Sequence, residues 1–342
     1  MVNNKSNILT HNQWLFVFFV FLILILSGYY LLFSPNNYNL EEPLVFEIKS
    51  GETFQSVTER LHSLGIIPNK TVFRVVAFIY GAETKVKAAR FRIENGLSYL
   101  DLLDLLIYGP ADYLRSIRVN DGQTIKWLAG KVRRDLRMDS TAFYQKAHDK
   151  EFIKSLGLNV ASLEGYLFSK SYQIYERSEP EEVLKIFYDS LKKFWTDTLQ
   201  HRADSLNLTQ HQILTLASII KGETNEVDEM PRISGVYHNR LKKGMKLQAD
   251  PTVQYLMKNG WKRLTYDDLT VDSPFNTYKY HGLPPAPINN PGANAILAAL
   301  YPEKHNYYFF VADGKGKHKF AKNYSEHLKN VREYRKWLRQ LK

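Results

Sequence analysis

One glutamate, Glu223, is the residue of this chain best placed for acid–base chemistry. It follows the apolar run LASIIKG (216–222), in which apolar residues recur at helical spacing. The carbonyl end of a helix disfavours negative charge, and Ile219, Ile220 and Val227 could exclude water from one side of the carboxyl. A carboxyl that stays protonated near pH 7 can protonate a leaving oxygen, the first requirement for breaking a glycosidic bond. The spacing alone favours a simpler alternative, a solvated glutamate that merely follows a helix.

Other kinds of catalytic site find no support in the sequence. It has no H-E-x-x-H, G-x-S-x-G or P-loop motif and no G-x-G-x-x-G after a strand, which argues against metalloprotease, serine hydrolase, nucleotide and Rossmann sites. The absence of cysteine excludes thiol nucleophiles, thiolate-bound zinc, iron–sulfur clusters and disulfides. The ten histidines are scattered along the chain. We therefore expect no metal and no cofactor.

Two predicted helices flank Glu223. Thr209 and Gln212 form a capping box that begins the first helix, which runs up to Gly222. Gly222 is predicted to adopt the left-handed conformation that ends many helices. Pro231 opens the second helix, because proline is tolerated in a first turn. The carboxyl is thus expected in the short connection between the two helices.

The last part of the chain mixes loop, strand and helix. Residues 274–292 contain five prolines and two glycines and predict an ordered irregular loop, with Asn290 capping the short helix that follows. A hairpin is predicted around Asp313 and Gly314, and a basic helix closes the chain over residues 324–341. The fold class expected for the whole chain is α+β.

A membrane-spanning helix is predicted near the N-terminus. Residues 14–33 carry no charge over about 20 positions, the length that a helix needs to cross the hydrocarbon core. The alternative, a cleaved signal peptide, would have a shorter apolar region followed by a small-residue cleavage site. Lys5 precedes the span and Glu41 and Glu42 follow it, which favours a cytoplasmic N-terminus with the remainder outside.

A short pattern recurs three times after the span. It is a β-rich run, a turn with glycine and then Thr53, Ser98 or Thr124, each placed to cap a following helix. Nothing catalytic is evident in these small α+β units, so they are interpreted either as a spacer or as a carbohydrate-binding region. The net charge of +11 favours an anionic partner such as a lipid surface or wall polymer, and the location outside the membrane argues against nucleic acid.

Five segments, LASIIKGET, VYHNRL, GMKLQADPTVQY, FNTYKYHGLPPAPINNPG and YYFFVADGKGKHKF, together closely resemble the endolytic murein transglycosylases, the YceG-like family. The resemblance implies a single-pass protein of the bacterial inner membrane with its catalytic domain on the outer side. It implies endolytic cleavage of nascent peptidoglycan strands that leaves 1,6-anhydro-N-acetylmuramyl ends and terminates glycan elongation beside peptidoglycan synthases. The organisation implied is a cytoplasmic tail (1–12), a transmembrane helix (13–33), a linker (34–44), a LysM-like region (45–131) and a mixed α+β catalytic domain (132–342).

The resemblance also assigns roles to residues. The catalytic glutamate of the family motif ASI-x-x-x-ET falls on Glu223, which would act first as general acid and then as general base. A single carboxyl suffices because the muramyl C6 hydroxyl, and not water, attacks the anomeric carbon, unlike the two-carboxylate pattern of most glycosidases. Asn239 and Arg240 are expected to brace the site from behind. The candidates for lining the sugar cleft are Gln248, Asp250, Asn276, Tyr278 and Tyr280.

The chain departs from the family pattern in two places. Lys221-Gly222 stands where many members have an acidic residue, and a nearby lysine would favour ionised Glu223. The segment EGYLFSKSY differs from the familiar EGYLFPDTY at Ser169 to Ser171, where a strand or cleft edge is expected to differ.

Two alternative functions remain at this point. A non-catalytic peptidoglycan-binding scaffold of the wall-synthesis machinery fits the basic charge and the recurring units. A pyridoxal-phosphate lyase fits poorly, because no glycine-rich phosphate site accompanies a candidate Schiff-base lysine.

Overall fold

The structure is a computed structural model that describes residues 10–36, 44–257, 260 and 262–340. Most of the predicted linker and of the predicted cytoplasmic tail, including Lys5, Glu41 and Glu42, lies outside the described residues. The chain is mixed α+β, as predicted, and it divides into two compact units, one ending at Leu114 and one beginning at Arg115.

The first unit contains one long helix and a small α+β fold. Strands β1 and β2 pair antiparallel with Phe46 opposite Phe91, and both rings are fully buried. The helices pack their apolar faces around these rings to form one core. The elements are α1 (His11–Phe33), β1 (Leu44–Glu47), α2 (Phe54–Ser63), α3 (Lys70–Tyr80), β2 (Arg90–Ile93) and α4 (Tyr99–Ile107).

Helix α1 is long and apolar enough to cross a membrane, in agreement with the sequence. Its apolar side chains, from Trp14 to Tyr30, are exposed on the protein, which suits a helix surrounded by lipid.

The recurring strand, turn and helix pattern is confirmed at all three positions. The Thr53, Ser98 and Thr124 hydroxyls accept hydrogen bonds from backbone N–H groups three residues later, at 3.2, 3.1 and 3.3 Å. The third copy of this pattern packs differently from the other two. Its helix, α5, buries Ile125 and Leu128 in the core of the second compact unit. The division between the two compact units falls between Leu114 and Arg115, and the domain boundary at residues 131–132 stays a prediction from the sequence.

The second unit is mainly helical, with two pairs of short strands, β3 with β4 and β5 with β6. Strands β5 and β6 form the predicted antiparallel hairpin, and the last helix is the predicted closing helix. The elements are β3 (Leu114–Arg118), α5 (Ile125–Leu136), α6 (Ser140–Lys146), α7 (Lys150–Ser155), β4 (Ser171–Tyr175), α8 (Pro180–Phe194), α9 (Asp197–Ser205), α10 (Gln210–Glu223), α11 (Met230–Lys242), α12 (Asp250–Gln254), a 3-10 turn (Asp268–Thr270), α13 (Ala293–Leu300), β5 (Phe309–Ala312), β6 (His318–Ala321) and α14 (Tyr324–Gln340).

Helix α10 is the centre of the second unit. Every residue from Ile213 to Ile220 is buried, and α9, α11, α12 and α13 surround it. The two polar side chains within this run are satisfied locally, because Thr215 and Ser218 each donate to a carbonyl of the preceding turn at 2.7 Å. Because α10 is packed on all sides, it fixes the position of the residues at its C-terminal end.

Gly222 does not adopt the predicted left-handed conformation. It lies within α10, which continues through Glu223 and ends at the extended cap residue Thr224. A Cβ added at Gly222 would lie 2.5 Å from Cβ of Pro251, closer than any real contact. Glycine is needed here because α12 packs directly against the last turn of α10, and this contact brings Asp250 beside the end of that helix.

Asn290 does not cap α13, whose N-cap residue is Gly292. Asn290 is instead fully buried and holds the irregular loop in place. Its Oδ1 accepts from the backbone N–H groups of Gly165 and Leu167, and its Nδ2 donates to Oε1 of Glu164 at 2.9 Å.

Candidate active site

Glu223 is the last residue of α10, and its side chain is partly exposed at the surface of the second unit. The hydroxyl of Tyr237, on α11, donates to Oε1 of Glu223 at 2.6 Å. Oε2 makes no hydrogen bond to any residue that the structure describes. The carboxyl is therefore held by one oxygen and available through the other.

The surroundings raise the pKa of Glu223 from 4.5 to about 7. Burial of the carboxyl is the main cause, and the negative charge of Asp250 raises the pKa further. The hydrogen bond from Tyr237 and the positive charge of Arg240 lower it in part. The acid is thus protonated in mildly acidic solution and titrates near neutrality, as a residue that must give up and regain a proton should.

Tyr237 determines which oxygen of Glu223 carries that proton. Burial and the neighbouring Glu223 charge hold the pKa of Tyr237 well above its usual value of 10, so its hydroxyl remains a donor. Because Oε1 accepts this bond, the carboxyl proton is favoured on Oε2, the oxygen that has no partner among the described residues.

The strand hairpin and the segment before it hold α11 in position. The side-chain amide of Asn239 donates to the carbonyls of His305 and Tyr307 at 2.8 and 3.0 Å. Arg240 donates from Nε to the Tyr308 carbonyl at 2.7 Å and from Nη1 to the Leu247 carbonyl at 2.5 Å. Both side chains thus bind backbone carbonyls outside α11, and their predicted role of supporting the site stays a prediction. Arg240 also acts directly, through its charge, on the pKa of Glu223.

Asp250 and Tyr278 form the second part of the site. The Tyr278 hydroxyl donates to Oδ1 of Asp250 at 2.5 Å. Burial first, and then the charges of Asp250 and Glu223, raise the pKa of Tyr278 far above its usual value. Two tyrosines, two carboxyls and one guanidinium are thus close enough to influence one another, although they come from four separate segments of the chain.

Gln248 lies exposed in the turn that leads to Asp250. Its φ is +47°, a left-handed conformation that non-glycine residues rarely adopt. The turn is held by two bonds, from the Gln248 N–H to the Thr277 carbonyl at 3.1 Å and from the Ala249 N–H to the Thr277 hydroxyl at 3.0 Å. Backbone strain that the surroundings maintain in this way is characteristic of functional sites.

Two predicted cleft residues are placed differently. Asn276 is fully buried, and its Nδ2 donates to the carbonyls of Leu269 and Val271 while its Oδ1 accepts from the Tyr278 N–H. It therefore shapes the loop that carries Tyr278 and presents no free amide to a sugar. Tyr280 is exposed, but its hydroxyl donates to Asp272 at 2.5 Å, and no described contact joins it to Glu223.

The lysine two residues before Glu223 does not counteract the raised pKa. The Lys221 ammonium donates to Oδ1 of Asn225 at 2.5 Å, and its stem packs against Gly122. Burial, Tyr237, Asp250 and Arg240 account for the pKa of Glu223 without it. The lysine at this position is therefore not among the groups that lower the pKa of Glu223.

Tyr237 and Gly222 are site residues whose roles the sequence did not indicate. Tyr237 lies in the helix that the sequence predicted to begin at Pro231, and it had no predicted role in the site. A tyrosine on the buried face of a helix needs a hydrogen-bond partner for its hydroxyl, and this need is the feature of the sequence that could have indicated its role. The role of Gly222 was ambiguous in the sequence. A glycine near a helix end more often adopts the left-handed conformation that ends the helix than permits close packing of another element.

Known proteins resemble this chain in sequence and in fold. The model of the YceG-like family matches residues 46–333, most of the chain. The chain belongs to the YceG-like family. The match includes both described units beyond α1, so it covers the first unit's small core as well as the segments that carry Glu223, Asp250 and Tyr278.

Relatives of this YceG-like chain include proteins with an assigned function. The endolytic murein transglycosylase of Bacillus subtilis is 29% identical over 330 residues, which cover 91% of each chain. The endolytic murein transglycosylase of Streptococcus pneumoniae strain R6 is 28% identical over 93% of this chain and 64% of its own length. A crystal structure of a YceG-like protein from Listeria monocytogenes has 27% identity and a TM-score of 0.58, covering 85% of this chain and 99% of that one.

Proposed function

We propose that this protein is an endolytic lytic transglycosylase that cleaves the glycan strands of nascent peptidoglycan. Its relatives in Bacillus subtilis and Streptococcus pneumoniae are named for this activity. The observation that carries the proposal within this chain is the state of Glu223. A carboxyl with a pKa of about 7 keeps its proton on the one oxygen that the described residues leave unbonded.

In the first step, Oε2 of Glu223 gives its proton to the glycosidic oxygen that links muramyl C1 to the next sugar. The C1–O bond breaks, the leaving sugar departs with the proton as a hydroxyl, and positive charge develops at the muramyl anomeric centre. The carboxylate left behind is partly stabilised by the Tyr237 bond and by the Arg240 charge, the same two contacts that lower its pKa.

In the second step, the Glu223 carboxylate removes the proton from the muramyl C6 hydroxyl. The C6 oxygen attacks C1 and closes the 1,6-anhydro ring, and Glu223 is again protonated for the next cycle. No water is consumed, so one carboxyl that changes its proton state twice is sufficient.

Asp250 has a supporting role in this proposal. Its negative charge raises the pKa of Glu223 and would also stabilise positive charge on the sugar during bond breaking. The Tyr278 bond fixes the direction of the Asp250 carboxyl. Gln248, exposed on the strained turn, can bind sugar hydroxyls or acetamido groups through its amide. Tyr280 is the remaining candidate on the exposed surface, where its ring could stack on a pyranose face.

Helix α1 supports a location at a membrane. This helix would anchor the protein in the bacterial cytoplasmic membrane with both compact units on the outer side, where nascent glycan is made. The first unit, proposed as the LysM-like region, would bind or position the strand. An endolytic cut there would terminate glycan elongation, and peptidoglycan synthases are the partners that such a role requires.

Product analysis tests the function. The full chain in detergent is incubated with polymerised glycan strands, and the fragments are identified by mass spectrometry. We expect internal fragments with 1,6-anhydro-muramyl ends, and none from Glu223→Gln. Fragments with reducing ends would show ordinary hydrolysis and contradict the one-carboxyl mechanism. Binding without cleavage by the unmodified chain would support the scaffold alternative.

A further inference from the structure

The first unit exposes a cluster of apolar side chains at one end. Val75, Phe78 and Ile79 follow one face of α3 and are 54, 72 and 78% exposed. Tyr108, the residue after α4, is 68% exposed. These four residues are called here the apolar tip. Single exposed apolar residues are common on proteins, whereas a group of large ones at one end of a unit indicates a binding surface.

The anchor helix is built into the same unit. Leu32 of α1 packs against the core of the first unit, and the N–H of Asn36 donates to the Leu97 carbonyl at 3.2 Å. Helices α1 and α4 also pack against each other. The contacts of Leu32 and Asn36 therefore join the end of the membrane-crossing helix to the core of the first unit.

These contacts define which end of the unit faces the bilayer. The chain leaves α1 beside Leu97, immediately before α4 begins, while α4 packs along α1. Helix α4 thus runs back along α1, so that its C-terminal end and Tyr108 are directed toward the membrane.

Helix α3 runs in the same direction as α4. Its start is joined to the start of α4 by the bond from the Asn69 N–H to the Tyr99 hydroxyl at 3.2 Å. Its end is joined to the later part of α4 by the bond from the Tyr80 hydroxyl to Asp104. Phe78 and Ile79, at the end of α3, therefore lie at the same end of the unit as Tyr108.

We propose that the apolar tip inserts into the outer surface of the bilayer that α1 crosses. The proposal rests on the membrane anchoring described under the proposed function. Apolar and aromatic side chains at the boundary of headgroups and acyl chains, with basic residues beside them, are the features of interfacial binding. Arg74 precedes Phe78 by one turn of α3 and is exposed, and Lys85 lies beside Gly81 at the helix end, so both ammonium and guanidinium groups can meet lipid phosphates.

Insertion would have a mechanical consequence. A single span leaves a soluble unit free to tilt, whereas a span and a second contact fix its orientation relative to the membrane. The apolar tip would thus set the direction in which the first unit faces a nascent strand.

The chain has no cysteine, which allows site-specific spin labelling without background. Single-cysteine variants of the full chain, Phe78→Cys and Ile79→Cys, are labelled with a nitroxide and placed in phospholipid nanodiscs. Leu24→Cys, within α1, is the reference for lipid. Leu64→Cys, apolar and 48% exposed but located before α3 begins, is the reference for an exposed apolar site away from the bilayer.

The measurement is the ratio of label accessibility to oxygen, which enters lipid, over accessibility to a water-soluble nickel chelate. We expect the ratio at positions 78 and 79 to exceed that at Leu64 severalfold and to approach that at Leu24. A low ratio at 78 and 79 with a high ratio at Leu24 would overturn the insertion while leaving the anchor intact. Low ratios at all positions would contradict the anchor itself. Labels at 78 and 79 that are shielded from both reagents would indicate a protein partner, such as a second copy, and would also overturn the proposal.

Discussion

Two carboxyls of the second unit, Glu164 and Glu223, share a raised pKa, but Glu164 is buried while Glu223 is partly exposed, and their hydrogen bonds differ. Burial raises the pKa of Glu164 to about 8 and that of Glu223 to about 7. Both Glu164 oxygens accept from the Ile125 N–H at 3.1 Å, and Oε1 also accepts from Asn290. Glu223 has one bonded oxygen and one that the described residues leave unbonded.

A raised pKa shows that a carboxyl is withdrawn from water and does not by itself identify a catalyst. Glu164 joins the N-terminus of α5 to the irregular loop, so its oxygens are occupied by the fold. Glu223 stands at a helix end beside Asp250 and Tyr278, so its proton can be transferred to a substrate. Experiments on the two sites should therefore separate activity from stability.

Replacing the two carboxyls should give the largest contrast. Glu223→Gln removes the transferable proton and should lower the rate of anhydro-end formation by about 10³-fold, within the range for a general acid. Glu164→Gln keeps an oxygen for the Ile125 N–H and should retain most activity. The rates are measured by mass spectrometry with folding monitored by circular dichroism. A comparable loss in both variants would show that the two sites are not functionally distinct.

Gly222→Ala should be the next most damaging change. The added methyl would lie 2.5 Å from Pro251, so α12 and Asp250 must move away from Glu223. Displacements of about 1 Å at a catalytic site cost on the order of 10²-fold in rate. The matched control is Gly130→Ala in α5, where a Cβ meets no atom within 4 Å and helix propensity favours alanine. Full activity in Gly222→Ala would show that the close packing of α12 is not needed.

Tyr237→Phe should alter the pH dependence more than the maximal rate. The Tyr237 bond lowers the pKa of Glu223, so its removal should raise that pKa. Activity of the unmodified protein should fall as pH rises through about 7, when Glu223 loses its proton, and this descending limb should move to higher pH in the variant. We expect a rate loss of about tenfold from the lost orientation of the carboxyl. The control is Tyr166→Phe, a buried tyrosine that bonds His211 at 2.8 Å and should leave the limb unchanged.

Glu164 should make the stability of the protein depend on pH, and we expect this effect to be the smallest of those predicted here. The unfolded chain loses the Glu164 proton above about 4.5, whereas the native chain keeps it up to about 8. The native state binds more protons in this window, so this carboxyl makes stability fall as pH rises through it. Glu164→Gln should therefore show a flatter melting temperature between pH 5 and 8, measured by intrinsic fluorescence in detergent. If the melting temperature of the variant falls as steeply with pH, groups other than Glu164 cause the pH dependence of stability.

The features that depend on neighbours in the chain could be predicted from the sequence alone. The caps at Thr53, Ser98 and Thr124 were predictable because each bonds a backbone N–H three residues away. The apolar helix α1, the hairpin and the closing helix followed from local composition and spacing. The same short motifs established the family resemblance and identified Glu223 as the candidate acid.

The contacts around that acid became known only from the three-dimensional structure. It placed Tyr237 on Oε1, turned Lys221 toward Asn225, packed Pro251 onto Gly222 and buried Asn276 and Asn290. None of these contacts is encoded by spacing, because each depends on how distant elements pack against α10. Desolvation and hydrogen bonding, which set the proton affinity of a carboxyl, act over a few ångströms in space regardless of separation along the chain.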